Sequence, residues 1–257
     1  VLIPIGGLAM PAKIALGMLA FAVIMWVTEA VTYPVSAVMI VGLIAIMLTF
    51  ATDPETGEAV GASQGLSTAM SGFSSSAVAL VAAALALATA MQATGLHRRL
   101  ALYVLKLAGE KVSNIVIGAI VISIILAFFV PSATARAGAV VPILMGMVAA
   151  FGLEKESKLA ALLVITATQA VSIWNVGIKT AAAQNLVAVG FIEDQLGQTV
   201  SWGQWFLWAA PWSVLMSVAL YFIMRWAIQP ETDAIAGGRE LVEKQLADMG
   251  PMTGAEK

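Results

Sequence analysis

Long apolar stretches separated by short polar segments make up most of this sequence. A helix needs about 20 apolar residues to cross the hydrocarbon core of a bilayer. Four stretches approach that length on their own: residues 12–28, 35–50, 76–94 and 205–224. Four more occur in pairs joined by polar residues: 112–130 with 137–151, and 159–173 with 181–191. The pattern predicts an all-α membrane protein.

One segment, GLHRRLALYVLKLAGEK (residues 95–111), is amphipathic instead of uniformly apolar. Leu100, Val104 and Leu107 share one helical face, whereas Arg99 lies on another side. A helix with an apolar face and a basic polar face is typical of the membrane surface. The segment is therefore predicted to lie on the membrane surface.

The polar stretch PSATAR (residues 131–136) leaves two topologies open for its flanking segments. Either each segment crosses the bilayer, or residues 112–152 form a re-entrant hairpin that enters and leaves on one side. Polar backbone and an arginine are tolerated at membrane depth only inside protein or beside a water-filled cavity. A hairpin tip in a cavity meets that condition, so the hairpin is favoured.

A second polar interruption, WNVGIKT, predicts a broken helix over residues 158–192. Its polar and glycine positions are Asn175, Gly177, Lys179 and Thr180. Helices broken within the bilayer expose backbone groups and mark ion and substrate sites in transporters. The alternative is two short helices with a kink, and Lys179 extending to the interface.

Charge then orients these elements. Lysine and arginine collect on cytoplasmic loops, so residues 96–111 and the C-terminal tail are expected in the cytoplasm. The acidic residues 51–65, which lack Lys and Arg, are expected outside. The first two spans then place the N-terminus outside, and a preceding span is expected.

Composition supports the membrane assignment and excludes several functions. The chain has 257 residues, of which 60% are hydrophobic and 11% charged, and its mean hydropathy is +0.94. A net charge of −2 argues against a nucleic-acid partner. With no cysteine and His97 as the only histidine, no metal site is expected.

The hairpin tip carries the chemistry of an anion site. Helix ends with hydroxyls nearby bind anions, here through Ser132 and Thr134. Arg136 adds a bidentate partner for a carboxylate. The alternative is that both hydroxyls cap the helix and Arg136 extends to a lipid headgroup.

Three other functions are alternatives to anion transport. An ion antiporter needs an intramembrane carboxylate, and the only candidate, Glu29, lies at a turn. An intramembrane hydrolase with Ser132 as nucleophile lacks a base, because His97 is expected at the surface, so no enzyme is predicted. A half-length protein with an assembly or structural role remains an alternative.

Several motifs resemble the divalent anion:sodium symporter (DASS) family. MWVTEAVTYPVSAVMIVGL resembles the family's W-x-T-E-A-x-P-x-x-V-T-A stretch, and SGF with TGLHRRLA resembles its GF and TGL-x-x-R-L-A stretch. PSATARAGAVVPI resembles the P-S-N-T-A-R-x-G-G tip of its 2-oxoglutarate/malate translocator-like branch. KTAAAQN resembles the L-T-A-x-A-x-N segment after the broken helix. The similarity covers nearly the whole chain.

The resemblance implies one half of an inverted-repeat transporter with a re-entrant helical hairpin and a broken transmembrane helix. It implies secondary active transport of di- or tricarboxylates, coupled to a cation or by exchange, with Na⁺ as the candidate coupling ion and no cofactor. The implied substrate-binding residues are Ser132, Thr134, Arg136, Thr180 and Asn185. The ion site, or a charge that substitutes for the ion, is expected at Ser132, Asn175, Gly177 and Lys179.

The resemblance also implies an organisation and a setting. The expected parts are scaffold helices with a cytoplasmic surface helix (1–111), transport elements (112–192), a final transmembrane helix (193–227) and a cytoplasmic connector (228–257). The expected partners are a small divalent organic anion, membrane lipid, a second repeat and a second copy in a homodimer. The expected location is the bacterial inner membrane, with the tail in the cytoplasm.

Two positions depart from the family pattern. Ala133 stands where the family has its central asparagine, and an alanine side chain binds neither sodium nor a carboxylate. Lys179 stands where the branch has an apolar residue, and its ammonium carries the same unit charge as a sodium ion. Together they predict a transporter that does not use sodium at this site.

Overall fold

A computed structural model describes residues 7–254, with the side chains of residues 76 and 77 excepted. The α-helices of this part of the chain are α1 Met10–Thr28, α2 Tyr33–Thr49, α3 Gly61–Met70, α4 Ser76–Thr94, α5 Leu96–Ala108, α6 Val112–Phe129, α7 Ala133–Ala150, α8 Lys158–Gly177, α9 Ala183–Leu196, α10 Trp202–Ala227 and α11 Gly238–Asp248. Two 3₁₀ turns, Ser71–Ser74 and Lys179–Ala181, complete the list. No β-strand occurs in residues 7–254, so the all-α prediction is confirmed.

Several of these helices fit a bilayer. Over the residues described, five are long and apolar enough to cross one: α1, α6, α7, α8 and α10. The number rises to six if Gly61–Ser74 and Val78–Thr94 count as one interrupted span. Many large apolar side chains are exposed on α10, among them Trp208, Trp212 and Phe222. Such a surface suits lipid better than water.

The chain divides into two compact units, one ending at Ala79 and the other beginning at Leu80. In the first unit, α1 and α2 enclose a small core that includes Ile14, Met18 and Leu48. The indole nitrogen of Trp26 donates to the Ser36 hydroxyl oxygen at 3.1 Å and joins the two helices.

The second unit is organised around α8. This helix packs against α6, α7 and α10, and α5 packs against α6. The α6 and α7 legs have 18 residues each, which makes each about 27 Å long. The core that α6 and α7 share with α8 is apolar and almost fully buried. It contains Ile115, Ile122, Leu126, Ile143, Leu144, Met147, Leu159 and Leu162.

Helix α5 is buried in protein on one side and exposed on another. Ala101, Leu102 and Leu105 are fully buried, whereas the Leu107 side chain is 88% exposed. Arg99, expected on a polar side, is only 3% exposed. Its guanidinium donates to the carbonyl oxygen of Gly250 at 2.8 Å, which compensates its burial. Because α11 packs against α5, protein covers the side that carries Arg99. The exposed Leu107 side chain suits a helix on the membrane surface, which stays a prediction.

The segment after α10 makes hydrogen bonds to the residues at the starts of α6 and α8. The Val112 amide donates to the Asp233 carbonyl at 2.9 Å, and the Ile235 amide donates to the Glu110 carbonyl at 2.8 Å. The Glu231 carboxylate accepts from the backbone amides of Lys158 (2.7 Å) and Leu159 (3.0 Å), at the first turn of α8. These contacts fix the starts of α6 and α8 relative to each other.

Candidate functional site

The tip of the α6–α7 hairpin meets the interruption between α8 and α9. Arg136, in the first turn of α7, is 0% exposed. Its Nη2 donates to the side-chain oxygen of Asn175 in α8 and, at 3.2 Å, to the carbonyl oxygen of Ala181. One guanidinium therefore joins the hairpin, the last turn of α8 and the 3₁₀ turn.

The rest of the Arg136 guanidinium has no protein partner. Both Nε and Nη1 are buried and donate to no acceptor of the described chain. A guanidinium has five N–H donors and no acceptor, so three of them remain unused here. Buried donors without partners are costly, and an oxyanion is the ligand that best satisfies a guanidinium.

Asn185 stabilises the interruption between α8 and α9. Residues Ile178 and Ala182 are extended (ψ 121° and 141°), so the α8 hydrogen-bond pattern ends there. Asn185 is 6% exposed, and its Nδ2 donates to the carbonyl oxygens of Asn175 at 2.5 Å and Ile178 at 3.1 Å. These carbonyls would otherwise lack partners at a helix end. Asn185 therefore maintains the break.

The start of α10 holds the other side of the break. Trp205 donates from its indole nitrogen to the Val176 carbonyl at 2.9 Å. Lys179 donates from Nζ to the Val200 carbonyl at 2.6 Å, and the Trp202 indole donates to the Thr180 hydroxyl at 3.4 Å. Two of the sequence-predicted residues, Lys179 and Thr180, thus make their contacts with the α10 side.

Gly177 permits the close packing of α8 on α10. A Cβ atom at this position would lie 2.7 Å from the Ser213 hydroxyl oxygen and 2.9 Å from the Trp174 ring. Small residues allow such approach between membrane helices. The expected ion contact of Gly177 stays a prediction.

The hydroxyls of the hairpin tip differ in their surroundings. Ser132 is the N-cap of α7, and its oxygen accepts from the Ala135 amide at 3.2 Å. Thr134 is exposed and lines a cavity of about 550 Å³ between α7 and α8. Ala133 lines the same cavity with its methyl group.

Two hydroxyls on the α8 side of this cavity were not singled out by the sequence analysis. They belong to Thr168 and Ser172, which donate to the carbonyls of Val164 (2.9 Å) and Thr168 (3.1 Å) within the helix. Their lone pairs remain available to a cation or a donor. Their spacing of one helical turn was the available signal.

His97 is half-buried, not at the surface as expected. It lines a cavity of about 450 Å³ together with Ser132. However, His97 Nδ1 pairs with the Met91 carbonyl at 2.9 Å, and no hydrogen bond in the described chain joins it to Ser132. The part of the chain that the structure describes contains no group of three His, Cys, Asp or Glu side chains able to hold a metal ion.

Comparison with known proteins gives concordant matches. A family model for the sodium:sulfate symporter transmembrane region matches residues 1–257. A membrane protein of Cupriavidus necator is 50% identical over 254 residues, which cover 98% of this chain and 49% of that protein. The L-tartrate/succinate antiporter of Escherichia coli strain K12 is 29% identical over 197 residues, 75% of this chain and 40% of the antiporter. That of Shigella dysenteriae is 30% identical over 200 residues, with the same coverage of both chains. The chain thus spans about half the length of these relatives or less.

Proposed function

Because the chain belongs to the divalent anion:sodium symporter family, we propose that it forms one half of the substrate pathway of a secondary transporter for small divalent organic anions. Relatives named for tartrate and succinate make a four-carbon dicarboxylate the best-supported substrate class. We propose transport and not catalysis as the activity, and the role of Ser132 as the N-cap of α7 supports this.

The unused donors of Arg136 carry this proposal. A buried guanidinium with three free N–H groups at the junction of two helix ends is suited to one carboxylate of a dianion. Thr134 lies two positions earlier, at the mouth of a cavity large enough for a small organic acid. We assign Arg136 to the first carboxylate and the hydroxyls of Ser132, Thr134 and Thr180 to positioning.

The hairpin that presents Arg136 is proposed to be re-entrant. Its tip carries a fully buried arginine and meets a broken helix, an arrangement that membrane interiors accept only within protein or a cavity. The connector at its lower end is then cytoplasmic, and the inner membrane of a bacterium is the proposed location. A second repeat supplies the remaining contacts to the anion, and a homodimer is the proposed assembly.

The proposed mode is exchange without sodium at this site. Ala133 offers no side-chain oxygen beside the tip, and Lys179 places a fixed ammonium on the turn that also binds Arg136. Two fixed cations balance a dianion without a mobile one. The relatives named as antiporters also favour exchange.

Succinate counterflow in proteoliposomes of the complete protein that contains this chain tests both statements. We expect labelled succinate to enter vesicles preloaded with succinate at the same rate with and without a sodium gradient. Lys179→Leu should abolish most of this uptake, and Lys179→Arg should keep it. No counterflow would contradict anion exchange. Sodium-dependent uptake that persists in Lys179→Leu would contradict the charge substitution.

A further inference from the structure

A groove extends from the hairpin tip toward α5 and α11. Two cavities compose it, of about 450 Å³ and about 230 Å³, and both are lined by His97 and Gly138. The larger one also reaches Ser132 and Thr134 at the tip. The smaller one reaches Arg98 of α5 and Gln245 of α11. Because the two share lining residues, they adjoin and connect the tip to the α5–α11 side.

Two side chains of this groove keep hydrogen-bond donors that an anion can use. Arg98 donates from Nη2 to the Gln245 side-chain oxygen at 3.4 Å, so the Gln245 amide nitrogen keeps its own hydrogens. The remaining N–H groups of Arg98 are the charged donors. His97 Nδ1 lies 2.9 Å from the Met91 carbonyl and donates to it, which leaves Nε2 of the neutral imidazole as an acceptor.

Among residues 7–254, no carboxylate in the groove offsets the charge of Arg98. None of the residues that line the two cavities is acidic. Glu243, two positions before Gln245, is paired with Lys106 at 3.3 Å and with Arg239 at 3.2 Å. Over residues 7–254 Arg98 makes no ion pair, so its charge is available to the groove.

The two adjacent arginines therefore have different roles. Arg99 is buried and bound to the Gly250 and Met249 carbonyls, which fastens α5 to the end of the connector. Arg98 is exposed and has one weak contact of 3.4 Å with a neutral side chain. A cation held this loosely at the mouth of a cavity can exchange its partner for an anion at little cost.

We propose that the His97–Arg98–Gln245 groove is a second anion-binding position, a vestibule that collects the dicarboxylate before it reaches Arg136. The proposal rests on the transport function proposed above, because it gives the groove the same substrate class. A cleft lined by one sign of charge raises the local concentration of the oppositely charged ligand. The vestibule binds weakly and transfers its ligand along α7 toward Thr134.

These 257 residues contain no cysteine, so one introduced thiol gives a direct test once any cysteine in the rest of the complete protein has been replaced. Gly138 lines both cavities, and a Cβ atom added there meets nothing within 4 Å, so Gly138→Cys should fold normally. The purified protein in detergent is treated with an anionic sulfonate and with a cationic trimethylammonium methanethiosulfonate reagent. We expect the anionic reagent to react preferentially, and succinate or inorganic sulfate to slow its reaction.

Arg98 should account for this preference. In the Gly138→Cys background, Arg98→Gln should lower the ratio of anionic to cationic labelling about threefold to tenfold, as expected for one unit charge within about 10 Å in a partly wet cavity. Arg98→Lys should leave the ratio unchanged. Arg239→Gln on α11 removes the same net charge outside the groove and is the matched control. Gln92→Cys, which also lines the larger cavity, is a second reporter if the first alters the fold.

The labelling ratio tests anion binding in the vestibule independently of transport. An unchanged ratio in Arg98→Gln, or no protection by either anion, would overturn it even if succinate counterflow is found. Conversely, the parent protein can show the expected labelling ratio and protection by anions but no succinate counterflow. That result would contradict the transport function and support anion binding in the groove.

Discussion

Arg136 and Asn185 have different roles at the break between α8 and α9. Asn185 uses its amide hydrogens on the carbonyls of Asn175 and Ile178, so its donors are already occupied. Arg136 uses only Nη2 on protein acceptors. Of the residues expected to bind substrate, Arg136 therefore keeps the strongest free donors, and Asn185 stabilises the backbone that presents them.

A substitution at Asn185 should accordingly affect stability. Asn185→Asp replaces an amide by a carboxylate that faces two carbonyl oxygens, and should destabilise the protein by about 1–3 kcal/mol. Thermal unfolding in detergent measures the effect, with Gln184→Glu at the neighbouring exposed position as control. Unchanged stability with weaker succinate binding would assign Asn185 to the substrate instead.

The residues of the tip were predictable from sequence because intramembrane polarity is rare. Arg136 and Asn175 both stood out as polar positions in apolar segments, and the structure joins them directly. Trp205 did not stand out, since an aromatic residue near a membrane interface is common. Its bond to the Val176 carbonyl depends on how α10 packs on α8, which no local pattern contains.

At the scale of elements, the connector after α10 stabilises the positions of α5, α7 and α8. Ile235 and Val242 are fully buried, and α11 packs against α5 and α7. Hydrogen bonds from its own backbone amide and from those of Lys158 and Leu159 lower the pKa of Glu231 below its ordinary value. The charged form of Glu231 therefore stabilises the folded state at neutral pH.

Removing this carboxylate should produce a pH-dependent loss of stability. A depressed pKa means that the stabilisation is complete above the pKa of the unfolded chain and disappears as the pH falls through the folded value. Glu231→Gln should thus lower the unfolding temperature at pH 7, and the difference from the parent should shrink as the pH falls through the depressed pKa of the folded state. Glu156→Gln, an exposed carboxylate just before α8, is the control. An equal loss in both variants would show that general charge near the helix is responsible.

The burial of Arg99 on α5 shows what an element-level prediction leaves out. Periodicity predicted a helix here, and the structure has one at Leu96–Ala108. The pattern put Arg99 on a polar side, because a local pattern does not contain the packing of α11 against α5. In the structure α6, α7 and α11 surround the helix, so Arg99 is buried against carbonyls and Leu107 is exposed.

At the scale of the whole molecule, this chain corresponds to about half of its relatives. The α7–α8 cavity and the unused donors of Arg136 lie on elements that a second repeat is proposed to complete. The compact unit containing the hairpin begins at Leu80 and so includes α5 and α4 from Leu80 onward, which the sequence analysis grouped with the scaffold. Contacts between distant segments decide such grouping, and composition alone does not encode them.

The proposed orientation of the chain can be tested with single thiols, because its 257 residues contain no cysteine; any cysteine elsewhere in the complete protein is first replaced by serine. Thr56→Cys lies in the acidic loop and Tyr103→Cys on the exposed side of α5. In intact cells an impermeant maleimide should label the first variant directly and the second only after permeabilisation. Labelling of both from outside would contradict the assigned topology.

The central claim is that the free donors of Arg136 bind one carboxylate of the transported dianion. Succinate affinity, measured by calorimetry on the complete protein in detergent, tests it most directly. Arg136→Lys should weaken binding at least tenfold, because an ammonium cannot reproduce the planar fork, and Arg136→Gln should weaken it further, by about 2–3 kcal/mol in total. Arg225→Lys and Arg225→Gln, at a half-buried arginine in the last turn of α10, should bind succinate as the parent does. Unchanged succinate affinity in both Arg136 variants, with folding intact, would contradict the claim.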